Sequence, residues 1–430
     1  MERQFQIGLA GFGLVAAVLA AAGQEPRPAK PAEPAAQLVK LASVSTADRR
    51  AIDYRALDLR LRRMAEQPSV VGLAVGVVEN GRITFLGGYG ETLAGSGEKV
   101  TPDTVFRWAS VSKGVAGTIV AKLAEQHKLD LTAPVARVAP SLKLPGGNEH
   151  RATLADVLSH RLGLYRNAYD DKLEAGESPA SIRRNLASLA SLCAPGTCWS
   201  YQNIAFDAAS EAVAVATNLP YEEAVARILF RPLGMSSATM SRAGLKRAQS
   251  WARPHSVGRR PLELSDAYYR VPAAGGVNSN IKDLALWMIA QTGGMPGVLG
   301  KDLLEQIHAP LVATPNELRR LRKFRERLDQ PFYGLGWRSY LYAGHRIVGH
   351  RGGVNGYRSL ILFDPARRSG VVAMWNSNTS QPGGLEFEVM DMLYGLPFRD
   401  WMELDSKPAA PAPVVAAADE EPNSGGEARN

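Results

Sequence analysis

The sequence predicts an α+β protein, arranged as an α/β sandwich in which helices flank an antiparallel β-sheet built from both ends of the folded chain. Two strand-rich regions carry this expectation. A β-branched segment with an Asn-Gly turn lies near the start of the folded part, and several strand-like segments lie near its end. The residues between them show little alternation, which predicts a mostly helical inserted domain at about 140–260.

Local patterns place the individual elements. Residues 70–78 and 82–86 are expected to form a hairpin, because Asn80-Gly81 favours the type I′ turn that twisted strands require. The periodic apolar run that begins at Ser110 predicts a helix. The strands near the end of the folded part are expected at 333–342, 346–351, 357–363 and 370–375, and a last helix at 385–393.

Both chain ends are expected to lie outside the folded domain at 50–405. Residues 1–22 have the pattern of a secretory signal peptide, because a short, singly basic start precedes a run of apolar and small residues ending in Ala20-Ala21-Ala22. A retained anchor is the alternative, since the basic start is weak. Residues 23–46 are expected to be a Pro/Ala-rich linker, and 407–430 a disordered tail. We therefore expect an exported protein, periplasmic or secreted.

Composition narrows the range of partners. A hydrophobic content of 45% and a charged content of 21% fit a soluble globular protein. Much of the net charge of +8 comes from a basic run at 319–327. This run either makes peripheral contact with the anionic envelope or forms the solvated face of an amphipathic helix, and the general rule for charge runs favours the second. We expect a monomer that acts on a small-molecule or peptide substrate and does not bind nucleic acid.

Two cysteines, Cys193 and Cys198, flank a Pro-Gly turn. In an exported protein such a close pair is expected to form a disulfide bond, whereas in the cytosol two free thiols would be expected. No histidine lies near the pair in sequence, so we expect no metal site there. We expect no other cofactor.

The most informative motif is Ser110 followed three residues later by Lys113. A serine hydroxyl is a weak nucleophile until a base takes its proton. Helical spacing puts both side chains on one face, and a partly desolvated lysine can lose its proton and act as that base. The same spacing joins Ser279 to Lys282, but that serine follows a glycine-rich turn and is expected to be a helix N-cap.

Two further motifs carry groups suited to acyl transfer. Tyr201 can act as an acid or base, and the amide of Asn203 can hydrogen-bond both a lysine and a substrate amide. The run from His350 to Gly352 offers a basic side chain at a strand edge and a glycine that permits close approach. Each pattern alone is weak, since a second Tyr-x-Asn begins at Tyr165. Their order along the chain makes them informative.

In these motifs and their order the chain resembles the serine β-lactamase and penicillin-binding-protein superfamily, over roughly 65–400. The resemblance is to the branch of class C β-lactamases, D-Ala-D-Ala carboxypeptidases and related esterases. It matches the family's three elements to Ser110–Lys113, Tyr201–Asn203 and His350–Gly352. Supporting similarities include Leu158-Ser159-His160 and the run 333–337.

The resemblance implies a serine hydrolase with a Ser110 acyl-enzyme, in which Ser110, Lys113 and Tyr201 are catalytic. It leaves open which of Lys113 and Tyr201 is the base. The implied oxyanion hole consists of the backbone N–H groups of Ser110 and Gly353. The implied substrate-binding residues are Asn203, His350, Arg351 and Gly352. Arg351 either binds a carboxylate through its fork or points to solvent.

The third motif departs from the class C pattern, because His350 and Arg351 stand where Lys-Thr-Gly begins in those enzymes. We therefore expect D-amino-acid peptides or esters as substrates. A class C-type β-lactamase is one alternative. A catalytically silent, penicillin-binding-like sensor or binding module is another, although the three intact motifs favour an enzyme.

Overall fold

The computed structural model describes residues 51–405, which all belong to one compact unit. The segments expected to be the signal peptide, the linker and the tail lie outside the described residues. Within residues 51–405, no helix combines the length and the apolar character needed to cross a bilayer.

An eight-stranded antiparallel sheet organises the fold, with the order β2-β1-β10-β9-β8-β7-β6-β5. The predicted fold class is therefore confirmed, because the first hairpin pairs with the last strand. A separate antiparallel pair joins β3 to β4. The strand bounds are β1 Gly72–Glu79, β2 Arg82–Gly90, β3 Phe106–Arg107, β4 Asn278–Ser279, β5 Val312–Ala313, β6 Leu328–Tyr333, β7 Arg338–Tyr342, β8 His345–Val354, β9 Tyr357–Asp364 and β10 Ser369–Trp375.

Helices cover both faces of the sheet and fill the region between β3 and β4. The stretch at about 140–260 contains helices and turns but no strand. The α-helix bounds are α1 Tyr54–Ala65, α2 Ser112–Glu125, α3 Val135–Val138, α4 Leu154–Leu158, α5 Asp170–Glu174, α6 Pro179–Asn185, α7 Ala208–Thr217, α8 Tyr221–Val225, α9 Arg242–Lys246, α10 Pro272–Gly275, α11 Ile281–Gln291, α12 Lys301–His308, α13 Asn316–Arg320 and α14 Leu385–Tyr394.

The central strands are apolar on both faces because both are buried. In β10, Val371 and Ala373 belong to the core that includes α1 and α14, whereas Val372 and Met374 belong to the core that includes α2 and α11. Successive side chains of a strand point to opposite faces, so a continuous apolar run is the pattern of a strand between two helical layers.

The predicted hairpin is present. Asn80 and Gly81 have φ values of +51° and +75° between β1 and β2, as a type I′ turn requires. Cys193 and Cys198 form the expected disulfide bond.

The strand predicted at 333–342 is wrong, because β6 ends at Tyr333 and β7 begins at Arg338. The four residues between them turn and approach α2. Gly336 has φ of +81°, and a Cβ atom placed on it would lie 2.2 Å from the carbonyl oxygen of Lys113. Gly117 on α2 allows the same approach, because a Cβ atom there would lie 2.0 Å from the carbonyl oxygen of Leu335.

The prediction of a continuous amphipathic helix over the basic run at 319–327 is also wrong. Helix α13 ends at Arg320, a 3₁₀ turn covers Arg322–Phe324, and β6 begins at Leu328. Phe324 packs against Phe387 of α14, with ring centroids 4.3 Å apart. Burial in that core and pairing within the sheet override the helical periodicity.

Close packing at Gly336 predicts a specific loss of stability. Gly336→Ala should lower the free energy of unfolding by at least about 2 kcal/mol, because left-handed strain and a backbone clash add. Gly344→Ala is the matched control, since Gly344 has φ of +82° and no heavy atom within 4 Å of the added Cβ. It should lose only about 1 kcal/mol, the cost of the strain. Urea unfolding measures both, and equal losses would contradict the packing argument.

Candidate active site

Ser110 lies in a 3₁₀ turn, Ala109–Val111, that leads directly into α2. Ala109 has φ of +49°, a left-handed conformation that is uncommon for a residue with a side chain. The backbone of Trp108 holds the turn in place. Its backbone N–H donates to the carbonyl of Val277, and its carbonyl oxygen accepts from Ser359 Oγ. This turn presents Ser110 to a pocket of about 410 Å³.

Lys113 lies one helical turn beyond Ser110 and is completely buried. Its Nζ atom donates to Asn203 Oδ1 at 2.7 Å and to the carbonyl oxygen of Ala274 at 3.0 Å. The same Nζ lies 4.7 Å from the centroid of the Tyr201 ring. The structure thus brings the first two motifs together around a buried amine, and a buried polar group needs such partners.

Asp170 fixes the orientation of Asn203. Its Oδ2 atom accepts from Asn203 Nδ2 at 2.7 Å and from the Tyr268 hydroxyl at 3.4 Å. Because the side-chain nitrogen of Asn203 donates to Asp170, its side-chain oxygen faces Lys113. Burial raises the pKa of Asp170 to about 6, and the bond from Asn203 partly opposes that rise. No sequence signal separated Asp170 from other aspartates.

A chain of hydrogen bonds connects the second motif to the third. Gln202 N–H donates to His160 Nδ1 at 3.2 Å, and His160 Nε2 lies 3.1 Å from the Tyr333 hydroxyl. That hydroxyl lies 3.0 Å from His350 Nε2, and His350 Nδ1 lies 2.7 Å from the carbonyl oxygen of Arg351. Both imidazoles and the phenol are buried.

The chemistry of its two ends fixes the direction of this chain. A backbone N–H can only donate, so His160 Nδ1 accepts; a carbonyl can only accept, so His350 Nδ1 carries a proton. Burial, with the positive charges of Lys113 and Arg338, holds the pKa of both histidines well below the usual range, so each carries one proton. Tyr333 therefore accepts from His160 Nε2–H and donates to His350 Nε2.

This arrangement defines what His350 contributes. Its Nε2 lone pair is used by Tyr333 and its Nδ1–H by the backbone, so the imidazole is a neutral wall of the pocket. The His160 ring stands 4.4 Å from the Tyr201 ring, centroid to centroid. The chain therefore holds the Tyr201 loop against β8. His160 and Tyr333 both belong to segments that resemble the family, but the sequence alone predicts no role for either.

The remaining predicted residues divide into those that line the pocket and one that lies behind it. Ser110, Gly353 and Arg351 line it. Gly352 instead lets β8 approach the nucleophile turn, because a Cβ atom on it would lie 2.2 Å from the carbonyl oxygen of Trp108. The two predictions for Arg351 were that it binds a carboxylate or that it points to solvent, and neither alone describes its position. Its side chain is 43% exposed beside the pocket, and its Nε donates to Glu386 at 2.6 Å.

The two duplicate motifs are resolved by the structure. Ser279 is buried and accepts from Trp108 Nε1 at 2.8 Å, whereas the N-cap of α11 is Asn280, so the N-cap prediction for Ser279 is wrong by one residue. Lys282 pairs with Asp103 at the surface. Tyr165 is exposed and does not line the pocket.

Comparison with known proteins places the chain in a family. The β-lactamase family model matches residues 57–390, and the chain belongs to that family. Its fold and its relatives are those of serine hydrolases of the β-lactamase and penicillin-binding-protein type.

Curated relatives are distant. Over 331 residues the chain is 28% identical to unguisins hydrolase ungD' of Aspergillus campestris (strain IBT 28561). This alignment covers 72% of this chain and 59% of the relative. Over 225 residues it is 28% identical to the D-alanyl-D-alanine-carboxypeptidase/endopeptidase AmpH of Escherichia coli (strain K12). This alignment covers 50% of this chain and 56% of the relative. The chain thus spans less than two thirds of the length of these relatives.

Two solved structures share the fold. The octameric penicillin-binding protein homologue from Pyrococcus abyssi gives a TM-score of 0.71 at 22% identity, covering 80% of this chain and 78% of that chain. The D-stereospecific amidohydrolase from Streptomyces sp. gives a TM-score of 0.63 at 21% identity, covering 80% of this chain and 100% of that chain.

The directed hydrogen-bond chain predicts one tautomer for each histidine. In protein labelled with ¹⁵N-histidine, two-bond ¹H–¹⁵N spectra at pH 7 should show His350 protonated on Nδ1 and His160 on Nε2. Tyr333→Phe should shift the resonances of both rings. Tyr394→Phe is the control, because Tyr394 stacks on His345 with centroids 4.0 Å apart and should shift only that ring. A doubly protonated His350, or the opposite tautomers, would contradict the assignment.

Proposed function

We propose that the protein is an exported serine hydrolase that cleaves short D-amino-acid peptides or esters through an acyl-enzyme on Ser110. The observation that carries the proposal is the position of Lys113, buried one helical turn from Ser110 and held by two hydrogen-bond acceptors. A lysine in this environment is suited to accept a proton from a neighbouring hydroxyl.

The proposed reaction begins with attack of Ser110 Oγ on the substrate carbonyl. The hydroxyl proton passes to Lys113 or to Tyr201. In its deprotonated form, the amine of Lys113 would have two N–H groups, which Asn203 and Ala274 accept, and one lone pair that can take this proton. Tyr201 lines the pocket, and in the proposed reaction its hydroxyl protonates the leaving group.

The backbone N–H groups of Ser110 and Gly353 would stabilise the oxyanion that forms on the carbonyl. Each such donor is typically worth about 3 kcal/mol in the transition state. Collapse of the tetrahedral intermediate expels the leaving group, and a water molecule then hydrolyses the ester bond to Ser110 by the reverse arrangement of proton transfers.

Two observations favour D-amino-acid substrates over penicillins. His350 is neutral and fully hydrogen-bonded, so it offers no full positive charge to a drug carboxylate at the third motif. The relatives AmpH and the Streptomyces amidohydrolase are named for action on D-alanyl and D-configured substrates.

Substitution of the lysine tests the proposal. Lys113→Arg should lose nearly all turnover of D-alanyl-D-alanine peptides and of p-nitrophenyl esters, because a guanidinium does not deprotonate. Ser110→Ala should be equally inactive. The control is Lys282→Arg at the duplicate motif, which keeps its surface ion pair with Asp103 and should retain wild-type rates.

Steady-state kinetics on folded variants, with L-alanyl peptides as the stereochemical comparison, provide the readout. Most of the activity surviving in Lys113→Arg would refute the base role. Equal turnover of D- and L-peptides would refute the proposed substrate class.

A further inference from the structure

Three arginines are buried among residues 51–405, and only two of them are paired with carboxylates. Arg60 Nε lies 2.5 Å from Glu388, and Arg183 Nη1 lies 2.9 Å from Asp207. Arg107 is only 1% exposed, yet it forms no ion pair with any carboxylate of the described residues. A positive charge taken out of water is costly unless a counter-charge accompanies it, so this arginine requires one.

One edge of the Arg107 guanidinium also has no hydrogen-bond acceptor. On the opposite side, Nη1 donates to the carbonyl oxygen of Ser265 at 3.1 Å. Nε and Nη2, which lie side by side, are both buried and have no partner within residues 51–405. Buried donors in folded proteins are almost always satisfied, so this edge calls for an acceptor that the described residues do not provide.

The neighbouring side chains do not supply the missing negative charge. The Arg107 guanidinium stacks on Tyr269, 4.0 Å from the ring centroid. Burial raises the pKa of Tyr269 to about 12 and that of Tyr357 further, although the charge of Arg107 opposes both rises, so both phenols are neutral at pH 7. Asp266 lies three residues before Tyr269, but its carboxylate pairs with Arg242 at 3.1 Å.

From this geometry we propose that the Nε–Nη2 edge of Arg107 binds a small monovalent anion of the chloride type. Two parallel N–H donors of a guanidinium can converge on one negatively charged acceptor. A water molecule could accept the same bonds but would leave the buried charge uncompensated, and the near-complete enclosure of the guanidinium disfavours a larger anion. The inference goes beyond the proposed function, because Arg107 does not line the catalytic pocket.

The position of Arg107 indicates what the anion would stabilise. Arg107 lies in β3, where it pairs with Asn278 of β4, and it precedes Ser110 by three residues. Between them, Ala109 has the left-handed conformation of the nucleophile turn. An anion at Arg107 therefore supports the strand from which this turn begins, and it should act as a ligand that stabilises the folded state.

Thermal unfolding of the full-length protein provides the first test. Sodium gluconate is replaced stepwise by sodium chloride at one fixed ionic strength, so that general screening stays constant. Because the anion binds only the folded state, Tm should rise by at least about 2 °C and should saturate with chloride concentration. Bromide should act in the same way. A Tm that does not respond to chloride overturns the proposal.

Two variants show whether the effect depends on this guanidinium. Arg107→Met removes the charge and the donors while filling a similar space, so the chloride-dependent rise in Tm should disappear. Arg270→Gln is the matched control, because the guanidinium of Arg270 donates to backbone carbonyls, among them those of Gly176 and Glu177, and should leave the rise intact. A chloride effect that persists in Arg107→Met overturns the proposal.

Diffraction from crystals of the wild-type protein soaked in sodium bromide locates the ion, and it decides the matter if Arg107→Met fails to fold. The expected result is an anomalous bromide peak beside Nε and Nη2 of Arg107. Density at this edge without an anomalous signal would identify a water molecule and overturn the proposal. Neither measurement involves turnover, so failure of the proposed hydrolase activity is a separate result.

Discussion

Burial of the Lys113 side chain is the constraint on which the active-site architecture depends. An amine enclosed by protein must have its hydrogen bonds satisfied, and here Asn203 and the carbonyl of Ala274 satisfy them. Asn203 can face the lysine because Asp170 holds the other end of its amide. Segments far apart in the sequence are thereby drawn to one helix, and the nucleophile turn at Ser110 occupies the open side of that arrangement.

Neutral hydrogen bonding complements this charged centre. The chain through Tyr333 joins the Tyr201 loop to β8 without placing another charge beside Lys113. A protonated His350 would add to the positive potential of Lys113 and Arg338, so a neutral imidazole with one fixed tautomer suits this position.

The sequence was informative wherever local chemistry decides the structure, as in the Asn80-Gly81 turn and the helical spacing of Ser110 and Lys113. The order of the three motifs also predicted which residues would meet. Tertiary packing decided the rest. The run at 333–342 has the composition of a strand but breaks where Gly336 fits against α2. Asp170, the first residue of α5, and Arg166, in the turn before that helix, could not be recognised, because tertiary packing brings them to the pocket and nothing in their local sequence shows it.

The most direct test of this account is to find which side chain becomes acylated. The intact protein would be treated with a fluorophosphonate, digested and mapped by tandem mass spectrometry. We expect a single stoichiometric adduct on Ser110, absent from Ser110→Ala, because among residues 51–405 only that hydroxyl combines access to the pocket with a buried lysine one turn away. An adduct on Ser279, or labelling that persists in Ser110→Ala, would contradict it.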